Sequence, residues 1–480
     1  MKQEHTQFYE DVITALQSNS MAIFAGAGLS KSAGFVDWKG LLRSIATDLG
    51  LDIDKEYDLI SIAQYNVNKI GGRSVINQKI IKEFNEDVDL TKNHQILARL
   101  PINTYWTTNY DNLIERSLKD AKRIADVKHS VSQLNIMKPR RDAIVYKMHG
   151  DIDLPNEAVI TKDDYEAYFV DKLPFVNALS GDLVAKLFLF IGFSFSDPNL
   201  DYILSRVRIQ MRTAQRHHWY FVKKIAIGDP GIYSNEDLVY HKAKQDHFIT
   251  DLKRFKLQPV FIDTYPEITT ILKEIEDTFK KQTVFISGSA EVYGAWSTNK
   301  AQEFIHKLSS RLIREGYRII NGFGWGVGSA VINGALEEIY RRPEKYSDDL
   351  LIVKPFPQFA TGTKTLVQLW DDYRRDILTY AGVAVYIFGN KLNPENPNRE
   401  IVNALGVKKE YDIADEFGIV HIPVKGTGYM SEELSNLIAE NNFNANIDSE
   451  LHKRYVSLST KTEPDEIIDN ILAILKELNK

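Results

Sequence analysis

No cysteine occurs among the 480 residues, so no zinc site of cysteine ligands can be built from this chain. Nor is there a surplus of either charge, since 59 lysines and arginines stand against 65 aspartates and glutamates for a formal net charge of −6. Such a balance gives no global basic field with which to gather nucleic acid or an anionic membrane. Long apolar runs are missing too. None approaches the roughly 20 residues that span a bilayer, and the N-terminus lacks a basic segment followed by an apolar stretch. These absences predict a soluble cytoplasmic protein. What is present agrees: 44% of residues are hydrophobic, enough for ordinary cores, and the length allows two or three domains.

The chain is organised around Gly26-Ala27-Gly28-Leu29-Ser30, which follows the apolar run Met21 to Ala25. A strand ending on glycines reads as a nucleotide phosphate site, because glycine leaves backbone N–H groups open to a diphosphate; a plain structural turn is the alternative. An amphipathic helix over residues 4–19 precedes it, with Phe8, Val12, Ile13 and Leu16 on one face, and Trp38, Leu41, Leu42 and Ile45 recur at helical spacing after it. From Leu59 to Leu100 the pattern is helical with a break at Gly71-Gly72, as in a small insertion over the cleft. His94 there reads as a packed or solvated histidine.

Two further strand ends carry polar groups. Ile102 to Thr108 ends at Asn109, where an amide can hold ribose hydroxyls or a water, or cap the helix that follows. Ala143 to Met148 ends at His149, a side chain that can accept a proton near neutrality or simply sit in its loop. Leu187 to Ile191 is a continuous apolar strand running into Gly192-Phe193-Ser194-Phe195-Ser196-Asp197-Pro198, where Asp197 suits a helix cap. Strands His218 to Val222 and Pro259 to Ile262 and a helix through Ile268 to Phe279 complete a first domain, residues 1–280.

A second cycle, residues 283–480, opens at Thr283-Val284-Phe285-Ile286-Ser287-Gly288-Ser289-Ala290. Its strand Tyr317 to Ile320 runs into Gly322-Phe323-Gly324-Trp325-Gly326-Val327-Gly328, glycines spaced for close approach of backbone donors to a phosphate. Strands Leu350 to Val353 and Val383 to Phe388 bracket a helix carrying Arg374 and Arg375, which either pair with Asp371 and Asp372 on a solvated face or, with Lys391, meet a diphosphate. The last helix, Ile467 to Leu475, packs on the sheet or on another subunit. The expected fold class is therefore α/β, with two Rossmann-like, doubly wound parallel-sheet domains.

The loop from Gly26 to Trp38 resembles the NAD-binding loop of sirtuins (silent information regulators). Thr107-Thr108-Asn109-Tyr110-Asp111 and Lys147-Met148-His149-Gly150-Asp151 resemble the family's next two motifs, in the family's order. Gly192-Phe193-Ser194 is similar to its adenosine-side segment. The resemblance implies that Gly26, Ala27, Gly28, Ser30, Phe35, Asp37, Asp111 and Ser194 bind NAD and that Asn109 and His149 are catalytic, with Asp111 anchoring the Asn109 loop. Typical sirtuin deacylases hold a structural zinc with four cysteines, which this chain lacks, so protein deacylation is not implied with it.

Residues 283–480 resemble the SLOG superfamily of nucleotide sensors, without the Pro-Gly-Gly-x-Gly-Thr signature of its lysine-decarboxylase-like enzymes. The two halves together resemble the effectors of Thoeris anti-phage defence, in strings such as Thr104-Tyr105-Trp106-Thr107-Thr108-Asn109 and Gly326-Val327-Gly328-Ser329-Ala330. That resemblance implies an NAD+ glycohydrolase without prosthetic group or metal, activated by a cyclic ADP-ribose isomer that a TIR-domain enzyme makes. It also implies a homo-oligomer, a tetramer or larger. Family correspondence assigns the signal to Gly288, Ser289, Gly324, Gly326, Arg374, Lys391 and Glu410. A sirtuin-like deacylase or ADP-ribosyltransferase and a non-catalytic NAD-sensing module are the competing readings.

Overall fold

Five- and six-residue strands with no polar alternation are stable only where helices cover both sheet faces, the arrangement of buried parallel sheets. Met21–Ala25, Leu187–Ile191 and Val383–Phe388 are such strands, and every residue in them is buried. The computed structural model describes residues 5–360, 362–393, 395–396, 400–440 and 449–479. The chain divides into two units, Met1–Glu276 and Asp277–Lys480, each built on its own parallel sheet.

The first unit carries β1 (Met21–Ala25), β2 (Thr104–Thr107), β3 (Ala125–Lys128), β4 (Ala143–Lys147), β5 (Leu187–Ile191), β6 (His218–Lys223) and β7 (Leu257–Ile262). Their order is β3-β4-β2-β1-β5-β6-β7, and all pairs are parallel. The chain reverses its direction of growth across the sheet at β1 and β5, where such folds leave a ligand crevice beyond the strand C-termini. Ala22, Phe24, Trp106, Phe188 and Phe190 build a core on one face, and Trp106 stacks on its register partner Tyr146 at 4.1 Å.

The expected helical insertion is three helices, Leu59–Ile70, Ser74–Phe84 and Lys92–Arg99. Gly71 ends the first in a left-handed conformation, φ 77°, which costs glycine nothing. The first two of these helices share a small core with Leu41, Leu42 and Ile45, and it includes Tyr110, the residue after Asn109. Strand β3 has no hydropathy signal because its charges point inward: Asp126 and Lys128 are buried and paired at 2.7 Å, with Arg141 2.8 Å from the same carboxylate.

The second unit carries β8 (Thr283–Ser289), β9 (Arg318–Asn321), β10 (Leu351–Val353), β11 (Val383–Phe388), β12 (Asn390–Leu392), β13 (Ile401–Asn403) and β14 (Val420–Pro423). The parallel sheet runs β10-β9-β8-β11-β14, and β12 and β13 form a separate antiparallel pair. Its crevice falls between β8 and β11. The last helix, Pro464–Leu478, buries Ile467, Ile468, Ile471, Leu472, Ile474 and Leu475 in the same core as Val284, Leu308 and Leu312, so it packs within its own unit. Each such side chain contributes about 1.5–3 kcal/mol by leaving water.

Candidate functional site

In the first sheet, register places Lys147, Thr107, Ala25 and Ile191 in one row across β4, β2, β1 and β5. Five residues in motifs the sequence singled out lie just past that row. Gly26 and Gly192 are one residue beyond it, Asn109 and His149 two, Ser194 three.

The glycines bring two main chains together. Gly26 N donates to Ile191 O at 3.0 Å and Gly28 N to Gly192 O at 2.8 Å, so these N–H groups are used within the protein. A Cβ on Gly26 would lie 2.5 Å from Gly192 O, and one on Gly192 would lie 2.2 Å from Leu29 N. The small residues thus let two main chains touch. The helix they open, Ala27–Lys31, is a single turn.

Asn109 is nearly buried, at 9% exposure. Its side-chain N–H groups donate to Gly26 O at 3.1 Å and Ser30 Oγ at 3.0 Å, while its backbone N–H donates to Thr107 Oγ1. A carbonyl oxygen only accepts, so Gly26 O fixes which way the amide points. Among the described residues the acceptor Oδ1 has no hydrogen-bond partner, and it is not one of the buried unsatisfied atoms; it is the amide atom that solvent reaches. This is not a helix cap: Asn109 precedes the helix Leu113–Asp120, whose first N–H is met by Asp111 Oδ1 at 3.0 Å.

His149 is buried, and Gly150 follows at φ 97°. Its Nε2 lies 3.3 Å from Asp197 Oδ2, and its ring packs edge-on against Tyr165 and Tyr168. Burial holds its pKa below the ordinary histidine value, against the pull of Asp197, so the ring is neutral near pH 7. Among the described residues Nδ1 has no hydrogen-bond partner and is not a buried unsatisfied atom, whereas Nε2 is buried and makes no hydrogen bond. Asp197 does cap its helix, accepting from Leu200 N at 2.9 Å through Oδ1.

The loop after Asn109 is anchored by a residue that sequence reading passed over. Lys147 Nζ donates to Tyr110 O at 3.0 Å and Asp111 O at 2.6 Å, and pairs with Asp151 at 2.5 Å and Glu115 at 3.3 Å. Asp111 instead caps the following helix, and its Oδ2 is buried without a partner. Asp37 caps Trp38–Asp48 through Gly40 N and pairs with Lys31 at 2.9 Å. Partial burial opposes its ionisation, yet Lys31 and the Gly40 N–H hold its pKa below the usual carboxylate range. Phe35 is buried against Phe84, and the exposed Ser194 shares a 2.6 Å hydrogen bond with Ser196.

In the second unit, Gly288, Ser289, Gly324, Gly326 and Lys391 gather at the C-terminal edge of β8, β9 and β11. Here too glycine permits main-chain contact: a Cβ on Gly324 would stand 2.0 Å from Gly288 O, and one on Gly326, at φ 69°, would stand 2.0 Å from Ala290 O. Ser289 Oγ donates to Asn390 O at 3.0 Å. The buried Asn390, which the sequence did not reveal, accepts from Glu291 N and Val292 N.

Arg374 and Glu410 meet beside this edge, 3.7 Å apart. Glu410 accepts from Ser287 Oγ at 2.6 Å and is buried enough to raise its pKa. The Arg374 guanidinium lies over the Phe356 ring at 5.1 Å and has a buried Nε with no acceptor. Arg375 faces the other way, paired with Glu416 at 2.8 Å and Asp371 at 3.5 Å. Lys391 is exposed. No group of three or more His, Asp or Glu among the described residues is placed to hold a metal ion, and no described helix is long and apolar enough to cross a membrane.

Comparison with known proteins adds two matches to family models. One described as a SIR2-like domain covers residues 103–246, and one described as the Sir2- and TIR-associating SLOG family covers residues 267–478. Three curated relatives carry the name NAD(+) hydrolase ThsA. That of Bacillus cereus (strain MSX-D12) is 47% identical over 98% of both chains. That of Acinetobacter baumannii (strain 532279) is 44% identical over 98% of this chain and 99% of its own. That of Cytobacillus dafuensis is 48% identical over 88% of this chain and 86% of its own.

Proposed function

This chain belongs to the ThsA family of NAD(+) hydrolases, and we propose that it cleaves the nicotinamide–ribose bond of NAD+, releasing nicotinamide and ADP-ribose. Nicotinamide bound through a cationic ring nitrogen is already a good leaving group, and the transition state resembles an oxocarbenium ion, so placement of groups matters more than force. The observation that carries the reading is the Asn109 amide, locked as a double donor so that Oδ1 alone is free to orient ribose or water. Neutral His149, one strand away past the same row, accepts the proton from water or a ribose hydroxyl. Gly26, Ala27, Gly28, Ser30, Phe35, Asp37, Asp111 and Ser194 form the surrounding cleft.

In the same reading the second unit is the switch. A cyclic ADP-ribose isomer from a TIR-domain partner would bind at Gly288, Ser289, Gly324, Gly326, Arg374, Lys391 and Glu410, and the Arg374 guanidinium, whose Nε makes no hydrogen bond and lies 3.7 Å from Glu410, supports an anionic ligand there. The ligand must prefer one of two arrangements, because equal affinity for both shifts nothing. A homo-oligomer that rearranges would supply those arrangements. The biological outcome would be NAD+ depletion during phage infection.

Purified protein, NAD+ and candidate cyclic ADP-ribose isomers, followed by mass detection of nicotinamide, test the reading. Release that Asn109→Ala and His149→Ala abolish is the expected result. Release only with an acyl-lysine protein would restore the deacylase reading, and NAD+ binding without release the sensing one. An assembly whose size ignores the isomer would remove the rearrangement.

A further inference from the structure

Asp197 arrives at the crevice from β5's side of the sheet, whereas His149 arrives from β4. Its two oxygens do separate work. Oδ1 accepts from Leu200 N at 2.9 Å and starts the helix Pro198–Met211. Oδ2 accepts the Tyr165 hydroxyl at 3.1 Å and lies 3.3 Å from His149 Nε2, a charge contact out of line for a hydrogen bond, so that Nε2 is buried without a hydrogen-bond partner. A helix cap needs only the first contact. The second orients a carboxylate, itself largely buried, onto an imidazole.

We propose that Asp197 is the positioning residue of His149, its charge 3.3 Å away favouring the proton on Nε2 so that Nδ1, which reaches solvent, carries the lone pair. The inference rests on the reading of His149 as the base of NAD+ cleavage, and Tyr165 completes the arrangement by fixing the carboxylate's free oxygen. A carboxylate beside one imidazole nitrogen favours the tautomer protonated there and stabilises the imidazolium that forms when the other nitrogen takes a proton.

The other charged groups acting on His149 are Asp164 and Lys172. Asp164 is already matched by Arg73 at 2.5 Å, and Lys172 disfavours a charged ring. Tyr165 and Tyr168 face the ring as neutral phenols, their own pKa values raised far above 10 by burial. Asp197 is therefore the carboxylate that supports proton uptake by contact, against the burial that opposes it.

The test is Asp197→Asn in the full chain. Asparagine caps a helix as well as aspartate, and its oxygen still accepts from Leu200 N, so folding is retained. The new amide has no charge, and its N–H turned to Nε2 would reverse the tautomer. Two readouts are taken: nicotinamide release against pH under activating conditions, and the pKa of His149 from residue-resolved histidine C2 hydrogen exchange by mass spectrometry.

The expected result is kcat lowered about 100-fold with KM and melting temperature near wild type, and a His149 pKa lower than wild type. Tyr165→Phe, which frees the carboxylate but keeps its charge, should lower kcat less. Wild-type kcat with an unmoved pH profile in Asp197→Asn would overturn the proposal, as would an unmoved His149 pKa. If wild-type protein leaves NAD+ intact, it is the proposed hydrolase activity that fails. The exchange measurement then decides the Asp197–His149 coupling alone, a shift supporting it and no shift overturning it.

Discussion

Lys147 Nζ and the carbonyl oxygen of Asp111 stand 2.6 Å apart, and the lysine side chain has no exposed surface at all. One ammonium thus ties the chain that follows Asn109 to Asp151, two residues beyond His149. Lys147→Met would strand two carbonyls and two carboxylates without their cation. Breaking a buried pair in this way costs about 3–5 kcal/mol. Thermal unfolding of the variant should show a first unit that melts well below wild type or does not accumulate folded; an unchanged transition would contradict the anchoring role.

Asn109→Asp separates geometry from bulk. A carboxylate has the amide's shape but cannot donate, so it would face the Gly26 carbonyl with like partial charge. Gly26 O would keep the Leu29 N–H but lose the amide's, and the Ser30 hydroxyl could turn to donate, so the cost is the lost lock on the side chain, about 1 kcal/mol. Nicotinamide release should fall at least as far as in Asn109→Ala. Steady-state turnover of both variants checks this, and an active Asn109→Asp enzyme would count against the locked amide.

Gly192 and Gly228 offer a paired comparison, since both have positive φ, 65° and 94°. A Cβ on Gly228 meets nothing within 4 Å, but one on Gly192 would sit 2.2 Å from Leu29 N. Gly228→Ala should cost only the left-handed penalty, about 1–2 kcal/mol. Gly192→Ala should cost more, because the Gly26–Leu29 turn must move away, and should also weaken NAD+ binding. Urea unfolding and calorimetric titration of the two variants would show the difference.

His218 predicts an acid sensitivity. It is fully buried at the start of β6, accepts Phe188 N through Nδ1 at 3.2 Å, and burial lowers its pKa to about 3. The folded pKa lies below the unfolded one, so the neutral ring's stability is complete above the unfolded pKa of about 6.5 and drains away as pH falls toward 3. Between pH 6.5 and 5 this amounts to about 2 kcal/mol. His94, lowered by burial to about 4, adds in the same sense. Unfolding of wild type and His218→Asn at both pH values should show a smaller loss in the variant, whose amide can still accept from Phe188 N.

What could be read from residues alone follows from whether the signal is local. Met21 to Ala25, Leu187 to Ile191 and Val383 to Phe388 announce themselves because strands buried on both faces need no alternation. Asn109 and His149 are visible because each follows the end of a strand-like segment, where ligands of open sheets collect. Strand β3 is invisible because Asp126 and Lys128 satisfy each other only after folding. Helix Lys162–Asp171 could have been found from its capping box, Thr161 with Asp164. Lys147 reads as a strand residue and Asp197 as a cap, since their partners lie in other segments. The close fit of Gly26 and Gly28 against Gly192 was hidden for the same reason.

The row that joins Ala25 to Ile191 also sets a schedule. Its members come off the ribosome far apart, and parallel pairing across so much chain is slow, because loop closure must precede any contact that rewards it. A nascent chain that has made β1, β2 and β4 already owns Asn109 and His149, yet has no Gly192 to seat the glycine turn and no Asp197 beside the histidine. A growing polypeptide, or one cut before β5, therefore lacks half of the crevice.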